Sequence, residues 1–297
     1  MTPLWQSRFV VPSDAVDLFL NATDEEVLSI AAFEIDGAEN GDGQWWRVEM
    51  LHREEPDPED LSVLLEPIAA RAKIQDFDIE IERLPDSDWV EHVQREFEPF
   101  EIGRFWIHGS HVDVKPPKGQ VPIQLDAGMA FGSGEHPTTE GCLRALDQLA
   151  RRRRFGHVLD MGCGAGVLAI AAAKCWPSKV LAVDNDEVAV AVARDNARIN
   201  GVDGRCKALV SEGYAHPMIR ASGPYDLVLS NILADPLCEM ARDLASHLAY
   251  DGVAILAGLL GQQARQVIAS HQVYGMFLRD KIKIGPWTIL VMSRKKT

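Results

Sequence analysis

Hydrophobic and polar positions alternate in two different ways along this chain. From residue 157 onward, short continuous apolar runs alternate with stretches of helical period, the pattern of parallel strands covered by helices on both faces. Val158-Leu159 ends one buried strand, and Val167–Ala173 reads as a helix packed on a sheet. Lys179–Asp184 is the next strand, and the helix from Val188 to Ile199 stops at Asn200-Gly201. Cys206–Val210, Asp226–Asn231 and Gly252–Ala257 read as further strands, with helices over Pro236–His247 and Gln262–Ser270. Met276–Ile284 and Trp287–Ser293 read as a final antiparallel hairpin. The count predicts an α/β domain, a seven-stranded, mostly parallel Rossmann-like sheet with helices on both sides.

The first third of the chain is patterned differently. Trp5–Val11, Ala31–Ile35, Gln44–Leu51 and Phe77–Leu84 are strand candidates. A helix capped by Ser13 runs to about Asn21, with a resumption near Thr23–Glu26, and a second spans Pro56–Lys73. This βαββαβ order is that of a ferredoxin-like α+β domain. Pro85-Asp86-Ser87-Asp88 marks its end. The expected organisation is a small domain over 1–86, a connection over 87–120 and a larger domain over 121–297. The connection holds a short helix, Trp89–Phe97, and a hairpin, Phe100–His111; Trp89, His92, Phe97 and Trp106 read as packing residues.

Charge sharpens this division. Residues 1–86 hold six Lys and Arg against 21 Asp and Glu, a balance of −15, whereas the remainder holds 24 against 23. The small domain therefore carries the whole net charge of −14. It has no His, Cys or Ser cluster suited to catalysis. An acidic domain of this kind repels nucleic acid and attracts a basic, lysine-rich protein, in association that slows as salt rises. The Arg151–Arg154 run has no interleaved aromatics and reads as a helix end, so no direct nucleic-acid partner is expected. Five cysteines without a C-x-x-C pair point to reduced thiols and no metal site. No apolar run is long enough to span a membrane and no signal sequence is recognisable, so a cytoplasmic protein, a monomer, is expected.

The chemistry centres on Asp160-Met161-Gly162-Cys163-Gly164-Ala165-Gly166. Strand, glycine turn and helix form the first half of a nucleotide-binding unit, with the ligand at the strand's carboxyl end. The glycines run G-x-G-x-G, not the G-x-G-x-x-G of dinucleotide binders, and no Gly-Lys-Ser/Thr of a P-loop follows. Asp184 ends the next strand 24 residues after Asp160, where an acid can accept hydrogen bonds from both ribose hydroxyls. Upstream, the glycine-rich Ala127–Thr139 leads into a helix, Glu140–Ala150, which Thr138 or Thr139 can cap and whose free amides can hold a carboxylate.

The pattern Asp-x-Gly-x-Gly-x-Gly resembles the first motif of class I methyltransferases, which bind S-adenosylmethionine. Phe131–Thr139, Asp160–Gly166, Asp184 and Asp226–Ala234 together resemble the PrmA family, which methylates ribosomal protein L11 of the large subunit on amino groups. The likeness covers nearly the whole chain; Ser133 and Glu135 stand where that family usually has Thr, and Glu135 adds a charge. The resemblance implies that Thr139, Gly162, Gly164, Asp184 and Asn231 bind the cofactor and that the N-terminal domain recognises substrate. Asn231 and the Asn231-Ile232 carbonyls are then expected to accept the amine's N–H bonds. Ile232-Leu233-Ala234 replace the prolines and aromatic of the Asn-Pro-Pro-Tyr type motif, which predicts a mobile loop and a roomy pocket that suits repeated methylation. The competing readings are a lysine methyltransferase for another protein, such as an electron-transfer flavoprotein subunit, and a non-catalytic cofactor-binding module. An NAD oxidoreductase is disfavoured by the glycine spacing.

Overall fold

The computed structural model describes residues 4–13, 15–20, 27–35, 45–74, 78–84, 99–112, 114–125 and 136–295. The chain divides into two compact units, Met1–His92 and Val93–Thr297.

In the first unit, β1 (Trp5–Pro12), β2 (Val27–Ile35), β3 (Trp45–His52) and β4 (Glu80–Arg83) form one antiparallel sheet in the order β2-β3-β1-β4. Together with helices Val16–Leu20 and Pro58–Ala72, this is the expected ferredoxin-like arrangement. Period-two alternation turns Phe9, Val11, Val48 and Met50 inward, where they are fully or almost fully buried with Phe19 and Leu65. The opposite face carries ion pairs, Arg8 with Glu80 and Glu82 and Arg47 with Glu49. Strand β2 begins four residues earlier than expected, and β4 is shorter. The expected Thr23–Glu26 and Trp89–Phe97 helical stretches lie outside the described residues.

The second unit opens with β5 (Phe100–Ile102), β6 (Phe105–His108) and β7 (Val121–Gln124), a small sheet of their own. Its main sheet contains β8 (His157–Met161), β9 (Lys179–Asp184), β10 (Cys206–Val210), β11 (Tyr225–Asn231), β12 (Leu248–Leu260), β13 (Met276–Ile284) and β14 (Trp287–Arg294). Their order is β10-β9-β8-β11-β12-β14-β13. The first five are parallel, and β14 runs antiparallel between β12 and β13. Successive residues of β8 feed opposite faces: Val158 joins the core under helices Pro137–Ala150, Val167–Cys175 and Glu187–Ile199. Leu159 and Met161 join the core under Pro217–Ser222, Ala234–Glu239, Ala241–His247 and Ala264–Gln272.

Three expectations are corrected in detail. The single helix over 236–247 is two helices that break at Met240. The fifth strand is 13 residues long and extends to Leu260, because β14 gives it a partner on its far side. The helix after the glycine-rich loop starts at Pro137 and not at Glu140. Proline is favoured in the first helical turn, which puts the cap at His136 and both threonines inside the helix.

Candidate active site

Strand order reverses between β8 and β11: β9 and β10 continue to one side of β8, and β11 and β12 to the other. The crevice beyond the carboxyl ends at such a point is where open α/β sheets bind ligands. Asp160–Gly166 leaves β8 there, and Asn231-Ile232 leaves β11 beside it.

The glycine turn is built from residues that no side chain could replace. Gly162, Gly164 and Gly166 all have positive φ, at 72°, 50° and 82°. A Cβ on Gly162 would lie 2.2 Å from the Ile232 side chain, and one on Gly166 would lie 3.1 Å from Ala193 of the 187–199 helix. Asn196 of that helix donates to the Ala165 carbonyl at 2.9 Å and pins the turn from the other side. The amides of Gly162 and Cys163 both donate to the Val183 carbonyl, at 2.8 and 3.0 Å. The turn is thus tied to the end of β9, and Asp184 follows directly. The Asp184 carboxylate accepts from the Gly164 amide at 2.8 Å and from the Asp186 amide at 3.2 Å.

Asp160 has a role beyond closing its strand. Gly166, the N-cap of the 167–175 helix, offers no side chain for capping. Asp160 supplies the missing acceptor, taking the Ala169 amide at 2.9 Å on Oδ2. Its Oδ1 is buried without a partner among the described residues. Burial pushes this carboxyl up to about 7; the Ala169 hydrogen bond opposes the rise and the Asp184 charge adds to it. Asp160 sits in a recognisable motif, but only the fold reveals the orphaned oxygen.

The second wall joins residues far apart in sequence. Asn231 Nδ2 donates to Thr139 Oγ1 at 3.4 Å. Thr139 is buried in the first turn of the 137–150 helix. That turn is capped by His136, whose Nδ1 accepts from the Thr138 amide at 3.3 Å. Desolvation lowers the His136 pKa to about 4, so its ring is neutral, and it meets Trp287 edge to face at 4.9 Å. The Ser133 and Glu135 positions lie outside the described residues.

The loop after Asn231 is clamped. Ile232 covers Gly162 on one side, and on the other a Cβ on Gly258 would fall 2.2 Å from the Ile232 carbonyl oxygen. Gly258 has φ 84° and sits in the irregular stretch of the β12–β14 pairing between Leu256 and Leu259. Packing of backbone against glycine therefore holds the loop where the expected prolines are missing, in place of the loose loop read from sequence. Gly258 lies one residue beyond the expected strand end at Ala257 and was missed from sequence; its signal is an isolated glycine inside an apolar run, a mark of close backbone approach.

The structure thus brings Gly162, Gly164, Asp184, Asn231 and Thr139 to one crevice. Its glycine cradle, acidic strand end and strand order are those of a Rossmann-like, class I S-adenosylmethionine-dependent methyltransferase. The family model for ribosomal protein L11 methyltransferase (PrmA) matches residues 20–295, and the chain belongs to that family. A ribosomal protein L11 methyltransferase of Rhodopseudomonas palustris (strain BisB5) is 38% identical over 294 residues, covering 97% of each chain. One from Brucella suis (strain ATCC 23445 / NCTC 10510) is 41% identical over 209 residues, covering 70% of this chain and 73% of that one. The crystal structure of a ribosomal protein L11 methylase from Lactobacillus delbrueckii subsp. bulgaricus superposes with a TM-score of 0.61 at 30% identity, over 67% of this chain and all of that one. Among the described residues, no helix is long and apolar enough to cross a membrane.

Proposed function

We propose that this enzyme transfers methyl groups from S-adenosylmethionine to amino groups of ribosomal protein L11, lysine side chains or the N-terminus. The observation that carries the reading is the convergence of the glycine turn, Asp184 and the Asn231–Thr139 contact at the switch point of the sheet. The cradle fits the cofactor: three positive-φ glycines bend the backbone sharply at the switch point, and an acid stands where ribose hydroxyls need acceptors. In this reading the turn that holds Gly162 and Gly164 would carry the cofactor, and Asp184 would hold its ribose. Thr139, in the first turn of the 137–150 helix, would meet its carboxylate. When bound, the cofactor supplies an electrophilic methyl group on a sulfonium centre.

The chain's own task is to present an uncharged amine. A lysine of pKa ~10.4 is neutral at pH 7 only about once in ~2,500, a cost of roughly 4.6 kcal/mol. Desolvation in the crevice lowers that cost by disfavouring the ammonium form. The Asn231 side-chain carbonyl and the backbone carbonyl beside it accept the amine's N–H bonds and aim its lone pair. Its Nδ2 is already committed to Thr139, which fixes the amide's orientation. Alignment of this kind supplies much of the rate. Residues 1–86 serve as the recognition domain for the basic substrate, and their −15 balance draws it in.

The test is transfer of labelled methyl groups to purified ribosomal protein L11, followed by peptide mapping. Incorporation on amino groups is the expected result. Label on another protein of a ribosomal extract, with none on L11, would overturn the substrate assignment.

A further inference from the structure

The end of the main sheet opposite the crevice gathers cations from distant parts of the chain. The turns leading into the strands and the tail leaving β14 hold the Arg151–Arg154 run, Lys179, Arg205, Arg294 and Lys295. Against these eight stand two acids, Asp203 and Asp251, in a chain whose net charge is −14. The sheet itself aligns them. Lys179 is in register with His157, Val180 N donates to the Arg205 carbonyl, and Met276 is in register with Arg294. From β10 to β14 is five strand spacings, about 24 Å. Behind this edge, Asp226 is occupied by the amides of Gly156 and His157, and Asp147 is shared by Arg104 and Arg151.

Helix ends favour cations, which accounts for Arg151. Arg205 and Arg294 likewise donate to helix-end carbonyls, those of Ala173 and Leu248, at 3.0 and 2.8 Å, but Lys179 and Lys295, which stand on strand ends, are not accounted for in this way. Aromatic rings lie beside three of these cations, one from the residue that follows the arginine run and two brought in by the fold. Arg153 lies over Phe155 at 5.0 Å, Arg294 over Tyr250 at 4.6 Å and Lys295 over Phe277 at 4.8 Å. Tyr250 is 53% exposed. Arg153 also donates to the Asp251 carbonyl, which joins the arginine run to the turn that carries Tyr250.

We propose that this edge is a docking surface for single-stranded RNA. A row of cations with one exposed ring, Tyr250, beside it suits a phosphate backbone with a base stacked next to it. A second copy of the chain, offering its acidic first 86 residues, is the rival occupant. The proposal does not depend on the methyl-transfer reading, because the crevice lies at the other end of the strands.

The experiment follows fluorescence anisotropy of a labelled, mixed-sequence RNA of about 16 nucleotides, titrated with the full-length protein. Saturable binding is expected. If about four phosphates are neutralised, log K should fall with log salt at a slope of about −3. Arg152→Glu with Arg154→Glu reverses two exposed charges away from the crevice and should weaken binding at least tenfold. Cofactor binding by that variant should match the unaltered protein, which shows that it is folded. Absence of saturable binding at low salt, or equal binding by the variant, would overturn the proposal. So would sedimentation showing a low-salt oligomer that the double variant abolishes, with no RNA bound, since a second copy would then be the occupant.

Discussion

The two ends of the seven-stranded sheet are built from the same strands and have opposite character. Among the described residues, the turns and first helical residues that leave the parallel strands carry Asp184, Asp186, Glu187, Glu212 and Asp235 against one cation, Arg265. The turns that enter them are rich in Arg and Lys. The leaving end also concentrates its backbone constraints: three positive-φ glycines in one turn and Gly258 opposite Ile232. A parallel sheet puts all strand ends of one kind on one side, so a short sequence change at each turn sums into a large difference of field. An acidic, glycine-lined end suits a cationic cofactor and an amine; a basic, ring-flanked end suits a polyanion.

The strongest way to break the comparison is at the clamp. Gly258→Ala places a methyl group 2.2 Å from backbone and forces a positive φ on a residue with a side chain. Strain and overpacking together should cost about 4 kcal/mol. Thermal unfolding should show a loss of roughly 8–16 °C, and cofactor binding should fall with it. Ala introduced at Gly204, where nothing lies near, should leave both unchanged.

Next comes Asn231→Ala. It removes the group proposed to orient the amine and leaves the glycine turn intact. Methyl transfer, followed as kcat/KM on the protein substrate, should drop by about 10²–10³, with cofactor binding partly retained. A variant that binds cofactor and transfers at the unaltered rate would show that Asn231 does not orient the amine.

A smaller effect tests the buried acid. The folded-state pKa of Asp160, about 7, lies above its ordinary 3.8, so the neutral carboxyl is the favoured form in the fold. The stability this contributes is complete below pH ~4 and is lost as pH rises through about 7. Asp160→Asn keeps a neutral acceptor for the Ala169 amide at every pH. The variant should therefore gain on the unaltered protein between pH 5 and 8, by on the order of 1–2 kcal/mol once the weaker hydrogen bond is set against it. Denaturant unfolding at the two pH values reads this directly; an equal pH dependence in both proteins would contradict it.

Much of this was legible in the sequence, for identifiable reasons. Asp160, the glycine turn and Asp184 are set by one local strand–turn–helix–strand unit, so their placement at the strand ends follows from a window of about 25 residues. The Thr139–Asn231 contact joins positions 92 apart and exists only because the strand order reverses between β8 and β11. His136 as cap was signalled by Pro137, but the glycine-rich run before it drew the boundary too far along. The rings beside Arg294 and Lys295, Tyr250 and Phe277, were invisible in the arginine run because they stand on other strands and turns, and Phe155, which follows the run directly, is buried. The break at Met240 has no signal in the helical periodicity of 236–247.

The central claim is that the glycine-lined end holds S-adenosylmethionine with Asp184 at its ribose. Isothermal titration calorimetry of the full-length protein with the cofactor tests this most directly. The account predicts one saturable site per chain, weakened about 10–100-fold by Asp184→Ala, as expected for loss of hydrogen bonds to a charged group. No heat of binding, or the same affinity in the variant, would contradict it.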